Sequence, residues 1–337
     1  MMSDDLDDVT LDRMQARAKA LAPWIIHTPS VPLPSLMLSR LLGGAEVIMK
    51  LELLQHTGTF KARGALSNAL AIPMQDRAKG ITAASAGNHA IAAAWAARMI
   101  GTSAKVAMQS SANPYRVALA RAEGAEVIMK DGGAGVFAEA ERLQREEGRS
   151  FLHPFDGVNT ALGSAGVGLE MMADRPDLDA VVVAVGGGGL IGGVAAAVKA
   201  VRPGCAVYGV EPDGADSMSR SLAAGQPVTL DHVDTIADSL APPFALPFGY
   251  GLAKAFVDDI VTVSDDMIAA GMVLYQEEAK LAVEPSAAAV LAAVLGPLRA
   301  RLQGKKVGLV VCGANIDTDT YGQHLERGRL HRDLLTG

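Results

Sequence analysis

Four consecutive glycines, Gly186-Gly187-Gly188-Gly189, follow directly on the β-branched run Val181-Val182-Val183-Ala184-Val185 and precede a segment of helical composition. Strand, glycine turn and helix start bring free backbone N–H groups and the positive end of a helix dipole to one point, which makes an anion site. No Gly-Lys-Ser/Thr closes the run, so a Walker loop is excluded. Gly187-x-Gly189-x-x-Gly192 fits the dinucleotide pattern GxGxxG, and Glu211 falls at the end of the next strand, where an acid could bind a ribose. Taken alone, this loop favours an NAD-dependent oxidoreductase as much as any other phosphate binder, and glycines that merely pack helix on strand are the bland alternative. The 7 histidines are scattered singly and the 2 cysteines, Cys205 and Cys312, lie far apart. No zinc site and no disulfide framework is legible.

The elements that must position this loop alternate along the chain. Short β-branched runs over 46–50, 80–84, 105–108, 126–129, 180–185, 206–210, 260–263 and 306–311 predict strands. Segments 88–99, 114–122, 136–145, 190–201, 266–281 and 286–302 have helical length and composition. Such alternation predicts an α/β protein with mostly parallel sheets. Gly124-Ala125 and Arg202-Pro203-Gly204 are helix stops ahead of a strand. Residues 242–251, with three prolines and two glycines, predict an ordered surface loop. Residues 180–198 carry no charge and are nearly long enough to cross a bilayer, but the central glycines, each costing a helix about 1 kcal/mol, favour strand, turn and helix.

A second segment decides between the readings of the glycine loop. The stretch Lys50-Leu51-Glu52-Leu53-Leu54-Gln55-His56-Thr57-Gly58-Thr59-Phe60-Lys61-Ala62-Arg63-Gly64-Ala65 resembles the cofactor-lysine motif of the fold-type II pyridoxal-phosphate enzymes, in the branch of threonine and serine dehydratases and serine racemase. Ala62, where cysteine and threonine synthases usually carry aspartate, favours the dehydratases. The resemblance implies a tryptophan-synthase-β-like fold of two open, twisted, mostly parallel sheets with flanking helices. It makes Lys61 the catalytic lysine that carries pyridoxal 5'-phosphate, with Phe60 beside the ring. Such a lysine needs burial against an apolar wall, because desolvation lowers its pKa and frees the amine as nucleophile and base.

Further matches follow in order. Ser85-Ala86-Gly87-Asn88-His89 resembles the loop that binds the substrate carboxylate through backbone amides, with Asn88 also on the cofactor. Gly186, Gly187, Gly188, Gly189 and Leu190 become the phosphate cup, and Thr235-Ile236-Ala237-Asp238 resembles the family's IAD segment. Glu284-Pro285-Ser286 resembles a helix start at the cofactor. Cys312-Gly313-Ala314-Asn315 stands where the family's signature faces the pyridine nitrogen. A thiol there is a weak, neutral partner, which favours β-elimination over transamination. Ala86 stands where eukaryotic serine racemase has its second base, so Lys61 is the single base and racemase activity on the same scaffold is the weaker alternative. Glu211 and Ala215 match part of a divalent-cation site of some relatives, although Ser217 replaces its aspartate.

Departures at Ile91, Gly163-Ser164-Ala165-Gly166 and Ser239 bear on the substrate, for which threonine, serine and 3-hydroxyaspartate are the candidates. Arg63 and His56 are the cations considered for a second carboxylate, with Arg63 read as structural. The expected activity is an ammonia-lyase that converts a small β-hydroxy L-amino acid to a 2-oxo or imino acid and ammonia. A non-catalytic binding protein would leave Lys61, Asn88 and the glycine cup unexplained.

Composition agrees with a small-molecule enzyme. In 337 residues, 30 basic and 37 acidic side chains give a net charge of −7, half of the residues are hydrophobic and mean hydropathy is +0.23. That excludes a disordered chain and gives no footprint for nucleic acid or an anionic membrane. The acidic start lacks the basic and apolar parts of a signal peptide, so cytoplasmic residence is expected. Family resemblance implies a homodimer. The motifs divide the chain into a large cofactor-binding domain, 1–82 with 156–337, and a small domain, 83–155. About twenty residues beyond the last motif are too few for an amino-acid-sensing domain, which implies the short, catabolic form.

Overall fold

The structure is a computed structural model and describes residues 6–85 and 87–337. Ten strands form two sheets. The larger has the order β1 (Ser30–Pro32), β2 (Glu46–Lys50), β10 (Lys306–Val310), β7 (Ala180–Ala184), β8 (Ala206–Pro212), β9 (Asp259–Val263). The smaller has the order β5 (Ala125–Lys130), β4 (Ala104–Gln109), β3 (Ile81–Ala84), β6 (Ser150–Leu152). Every pairing is parallel except β1 on β2.

Parallel strands are covered by helices on both faces and so read as continuous apolar runs. The central strand β7 is buried along its whole length. The helices Val158–Asp174 and Gly189–Val201 pack on one another, and the helix Pro285–Leu295, apolar but for Ser286, is buried throughout. All eight predicted strands are present within a residue or two at each end; β1 and β6, three residues each, are additional. Helices 88–99 and 114–122 match Asn88–Met99 and Pro114–Ala122.

Three expectations are corrected. The 242–251 segment is a loop only as far as Leu246, because Pro247 opens the helix Pro247–Phe256 at a position whose missing N–H costs nothing. The 286–302 helix breaks at Gly296 into Pro285–Leu295 and Arg299–Leu302. The 266–281 helix ends at Leu274 and continues as one π-helical stretch, Tyr275–Ala279. Among the described residues no helix is long and apolar enough to cross a membrane.

Candidate active site

The carboxyl ends of β3 (Ala84), β4 (Gln109), β7 (Ala184) and β10 (Cys312 just beyond it) converge on one cavity of about 640 Å³. Lys61 is the first residue of the helix Lys61–Ala71, where Phe60 donates its N–H to the Cys312 carbonyl at 3.0 Å and so anchors the helix start to the end of β10. The Lys61 side chain is buried. Its Nζ donates to the Pro154 carbonyl at 2.6 Å and stands 5.1 Å from the centre of the Phe60 ring. Burial, opposed by the nearby Cys312 and Glu284, pulls its pKa down to about 8. The lysine is therefore the desolvated amine that nucleophilic and base chemistry requires.

Asn88 begins the helix Asn88–Met99 and donates through Nδ2 to both Glu284 oxygens at 3.0 Å, and it accepts from Asn315 Nδ2 at 2.8 Å. Glu284 is the N-cap residue of Pro285–Leu295 and also accepts from the Asn315 N–H at 3.1 Å and from Ser286 Oγ. The buried Cys312 thiol lies 3.6 Å from Ser286 Oγ, and burial together with the Glu284 charge pushes its pKa up to about 12. It is a neutral thiol at any physiological pH. His89 hydrogen-bonds the Leu152 carbonyl at 2.8 Å, and burial and the Lys61 charge hold it down to about 3. Ser85 Oγ accepts from the Gly87 N–H at 3.0 Å. Ala86 lies outside the described residues.

Gly186, Gly187, Gly188, Gly189 and Leu190 line the same cavity as Lys61. Gly188 sits at φ +91°, a conformation that favours glycine. At Gly189 a Cβ would stand 2.3 Å from the Phe155 carbonyl, so only glycine lets the 153–156 segment approach so closely. The helix that starts at Gly189 leaves its first-turn N–H groups without intrahelical partners. A buried amine of lowered pKa facing an amide-rich helix start fits a cofactor with an aldehyde at one end and a phosphate at the other. The cradle and the lysine together define a pyridoxal-phosphate enzyme of the two-sheet, tryptophan-synthase-β-like fold.

Comparison with known proteins agrees. The family model "Pyridoxal-phosphate dependent enzyme" matches residues 21–313. The chain is 46% identical over 332 residues to the phenylserine dehydratase of Ralstonia pickettii, which covers 96% of this chain and 99% of that one. It is 36% identical to the L-threonine ammonia-lyase of Thermotoga maritima over 95% of this chain and 79% of the other. The solved structure of maize serine racemase superposes with a TM-score of 0.89 at 32% identity, covering 96% and 99% of the two chains. The chain belongs to the pyridoxal-phosphate dependent enzymes. Within that class it is a hydroxy-amino-acid ammonia-lyase acting on a small amino-acid substrate, and the nicotinamide reading of the glycine loop is set aside.

The structure relocates several residues that the sequence had brought under suspicion. Arg63 does not reach the cavity: its guanidinium is bonded to Glu52 at 2.8 Å and to Glu170 at 2.7 and 2.8 Å. Burial alone would lower its pKa, but these two carboxylates hold it well above the usual value. His56 stacks on Trp95 at 5.2 Å between ring centres. Gly163 belongs to the contact between Val158–Asp174 and the Lys61 helix, where a Cβ would come 2.7 Å from the Arg63 carbonyl. Glu211 is buried, and both its oxygens accept from the start of the helix Ser217–Ala224: Met218 N at 2.9 Å, Ser219 N at 2.8 Å and Ser219 Oγ at 2.6 Å. Burial outweighs those bonds and raises its pKa to about 7. It serves there as a helix cap, and among the described residues no cluster of three or more His, Cys, Asp or Glu could hold a metal ion.

Residues not singled out from the sequence complete the wall. Phe137, Phe155 and Phe244 line the cavity. Phe155 stands 6.2 Å from Phe244 and 4.7 Å from His153, which in turn is 5.9 Å from Phe137. Burial and the Lys61 charge keep His153 down to about 4, so this aromatic row is uncharged. Phenylalanines in unrelated segments carry no local signal of a shared wall; only the crossing of the two sheets brings them together.

Proposed function

We propose that the chain eliminates water from a β-hydroxy L-amino acid bearing an aryl or similarly bulky β-substituent, 3-phenylserine foremost, to give a 2-oxo acid and ammonia. The observation that carries this reading is the row of Phe137, Phe155 and Phe244 on the cavity into which Lys61 opens. The same cavity, about 640 Å³, takes both the cofactor and the substrate. Aromatic walls favour an aromatic side chain through edge and offset contacts worth about 0.5–1.5 kcal/mol each. The 46%-identical relative is named for phenylserine.

Bound pyridoxal phosphate supplies the electron sink that makes the Cα proton of an amino acid acidic. The glycine cup would hold its phosphate on backbone amides, and Asn88, fixed by Glu284 and Asn315, would orient the ring. Cys312, a buried neutral thiol, would stand by the ring nitrogen and leave the ring only a modest electron sink, which favours loss of the β-hydroxyl over transamination. The 85–89 loop takes the substrate carboxylate. The free Lys61 amine removes the Cα proton. Proton and β-hydroxyl leave as water, and water then hydrolyses the released enamine to the 2-oxo acid and ammonia. Serine, threonine and 3-hydroxyaspartate become secondary substrates; for the last, Arg63 and His56 are both engaged elsewhere. The same reading includes a homodimer, cytoplasmic residence, and lobes 83–155 and 1–82 with 156–337, a division supported by the smaller sheet's confinement to residues 81–152.

Isomers of 3-phenylserine, threonine, serine and 3-hydroxyaspartate offered to the holoenzyme, scored for 2-oxo acid, test the assignment. The highest kcat/KM should belong to a phenylserine isomer; preference for threonine or 3-hydroxyaspartate would reject the aryl subsite, and racemised product at a comparable rate would reject the single-base account.

A further inference from the structure

A second, smaller void of about 10 Å³, which admits a single water molecule, lies where the helices Lys61–Ala71, Asn88–Met99 and Val158–Asp174 meet the 153–154 segment. Lys61, His89, His153, Pro154, Thr160 and Ser164 are among the residues that line it. Ser164 is fully buried, and its Oγ has no hydrogen-bond partner among the described residues. A serine inside a helix ordinarily bonds the carbonyl four residues back. Ser221 does so, donating to the Ser217 carbonyl at 2.6 Å. Ser164 does not close on Thr160 in this way. The Thr160 hydroxyl is itself engaged, donating to the Asp156 carbonyl at 3.0 Å and accepting from Asn68 Nδ2 at 2.9 Å.

The other residues around the void offer donors and acceptors. Lys61 Nζ donates to the Pro154 carbonyl at 2.6 Å, and an ammonium carries two further N–H groups. His153 Nδ1 accepts from the Phe155 and Asp156 N–H groups at 3.4 and 3.0 Å, which leaves the ring proton on Nε2. His89 Nε2 donates to the Leu152 carbonyl, which leaves Nδ1 a bare acceptor. Both rings are neutral, as is the Cys312 thiol. The charge that acts on Lys61 from outside the void is Glu284, whose carboxylate is committed to Asn88, Ser286 and Asn315. One void therefore joins a buried amine that has a single carbonyl acceptor to a buried hydroxyl that has no partner.

We propose that this void binds one ordered water, held by Ser164 Oγ, that accepts a hydrogen bond from Nζ when Lys61 carries a proton. Ser164 is thereby a positioning residue for the base, acting on Lys61 through the water. When Lys61 takes the Cα proton, the electron pair of the C–H bond stays with the substrate and the proton rests on Nζ, whose N–H groups the Pro154 carbonyl and the water accept. The proposal rests on the reading of Lys61 as the base of a dehydratase.

The test uses Ser164→Ala, Ser164→Val, whose extra methyl group fills the void, and Ser164→Thr, which keeps the hydroxyl. A high-resolution crystal structure of the holoenzyme should show a water about 2.5–3.0 Å from Ser164 Oγ, and Ser164→Val should show none. In the cofactor-free full chain, the rate at which a small acylating reagent labels Lys61, followed by peptide mapping across pH, reports the free amine. The midpoint of that profile should fall by about one pH unit in Ser164→Ala and Ser164→Val, because the protonated amine loses an acceptor, and should hold in Ser164→Thr. In the holoenzyme, kcat of Ser164→Ala and Ser164→Val should fall about three- to tenfold with KM within about twofold, because the bond to the water forms only as the proton reaches Nζ. Cofactor absorption should persist. A Ser164 hydroxyl bonded to the Thr160 carbonyl with no water beside it would overturn the proposal, as would an unchanged labelling midpoint in both Ser164→Ala and Ser164→Val. Should the variants not fold, the wild-type crystal structure decides alone. If the wild type releases no 2-oxo acid from any β-hydroxy amino acid, the dehydratase reading fails by itself, and the water and the labelling midpoint still decide the site.

Discussion

Asn88 Nδ2 donates to both carboxylate oxygens of Glu284 at 3.0 Å, joining the first turn of a helix on the smaller sheet to the N-cap of one behind the larger. Both groups are buried, so neither can exchange its partner for water. Replacing Asn88 by alanine removes two bonds to a buried charge and should cost about 1–3 kcal/mol of stability. Asn88→Asp, which sets a second carboxylate against Glu284, should cost more. Urea denaturation and titration with pyridoxal phosphate measure both effects, and cofactor affinity should fall in the same order.

Arg63 stands two residues from Lys61 between Glu52 and Glu170, with the fully buried Lys50 on the far side of Glu170 at 2.6 Å. Arg63→Met strands the buried Glu52 carboxylate and should destabilise the protein by about 3–5 kcal/mol. The loss should show as a lower denaturant midpoint with an unchanged m-value. Arg63→Lys, which cannot fork to both carboxylates, should recover only a minor part.

Both cysteines are buried, and burial pushes Cys205 up to about 11 and Cys312 up to about 12. A thiolate is the reactive form, so a disulfide reagent at pH 8 should titrate no thiol in the native protein and 2 after denaturation. Fast native labelling of Cys312 would show that its thiol is not held protonated.

In the cofactor-free protein Lys61 has a pKa of about 8 against 10.5 for an exposed lysine. Between those values the unfolded chain binds a proton that the folded chain does not, so stability rises with pH across this window and the full penalty applies below it. Cofactor-free Lys61→Met should therefore exceed the wild type by about 3 kcal/mol at pH 7, with the gap narrowing as pH climbs from 8 to 10.5. A gap that stays constant with pH would mean that Lys61 is not desolvated.

Much of the fold was legible because buried parallel strands such as β7 read as unbroken apolar runs. The helix Val158–Asp174 was not, since Gly163-Ser164-Ala165-Gly166 looks like a turn until the Lys61 helix is packed on it. Strands β1 and β6 are three residues long and gain their identity only from a partner strand. At the site, contiguous motifs around Lys61, Asn88 and the glycine cup were readable as local patterns. Ser164 was readable only as a departure bearing on the substrate, because the void that it shares with Lys61 arises only where three helices pack together.

The central claim is that Lys61 holds the cofactor and moves the proton. Borohydride reduction of the holoenzyme, followed by peptide mapping, tests it most directly. The pyridoxyl group should be fixed on the peptide that carries Lys61, with yellow colour and 2-oxo acid release lost together. A label on any other lysine, or turnover that survives the reduction, would contradict the account.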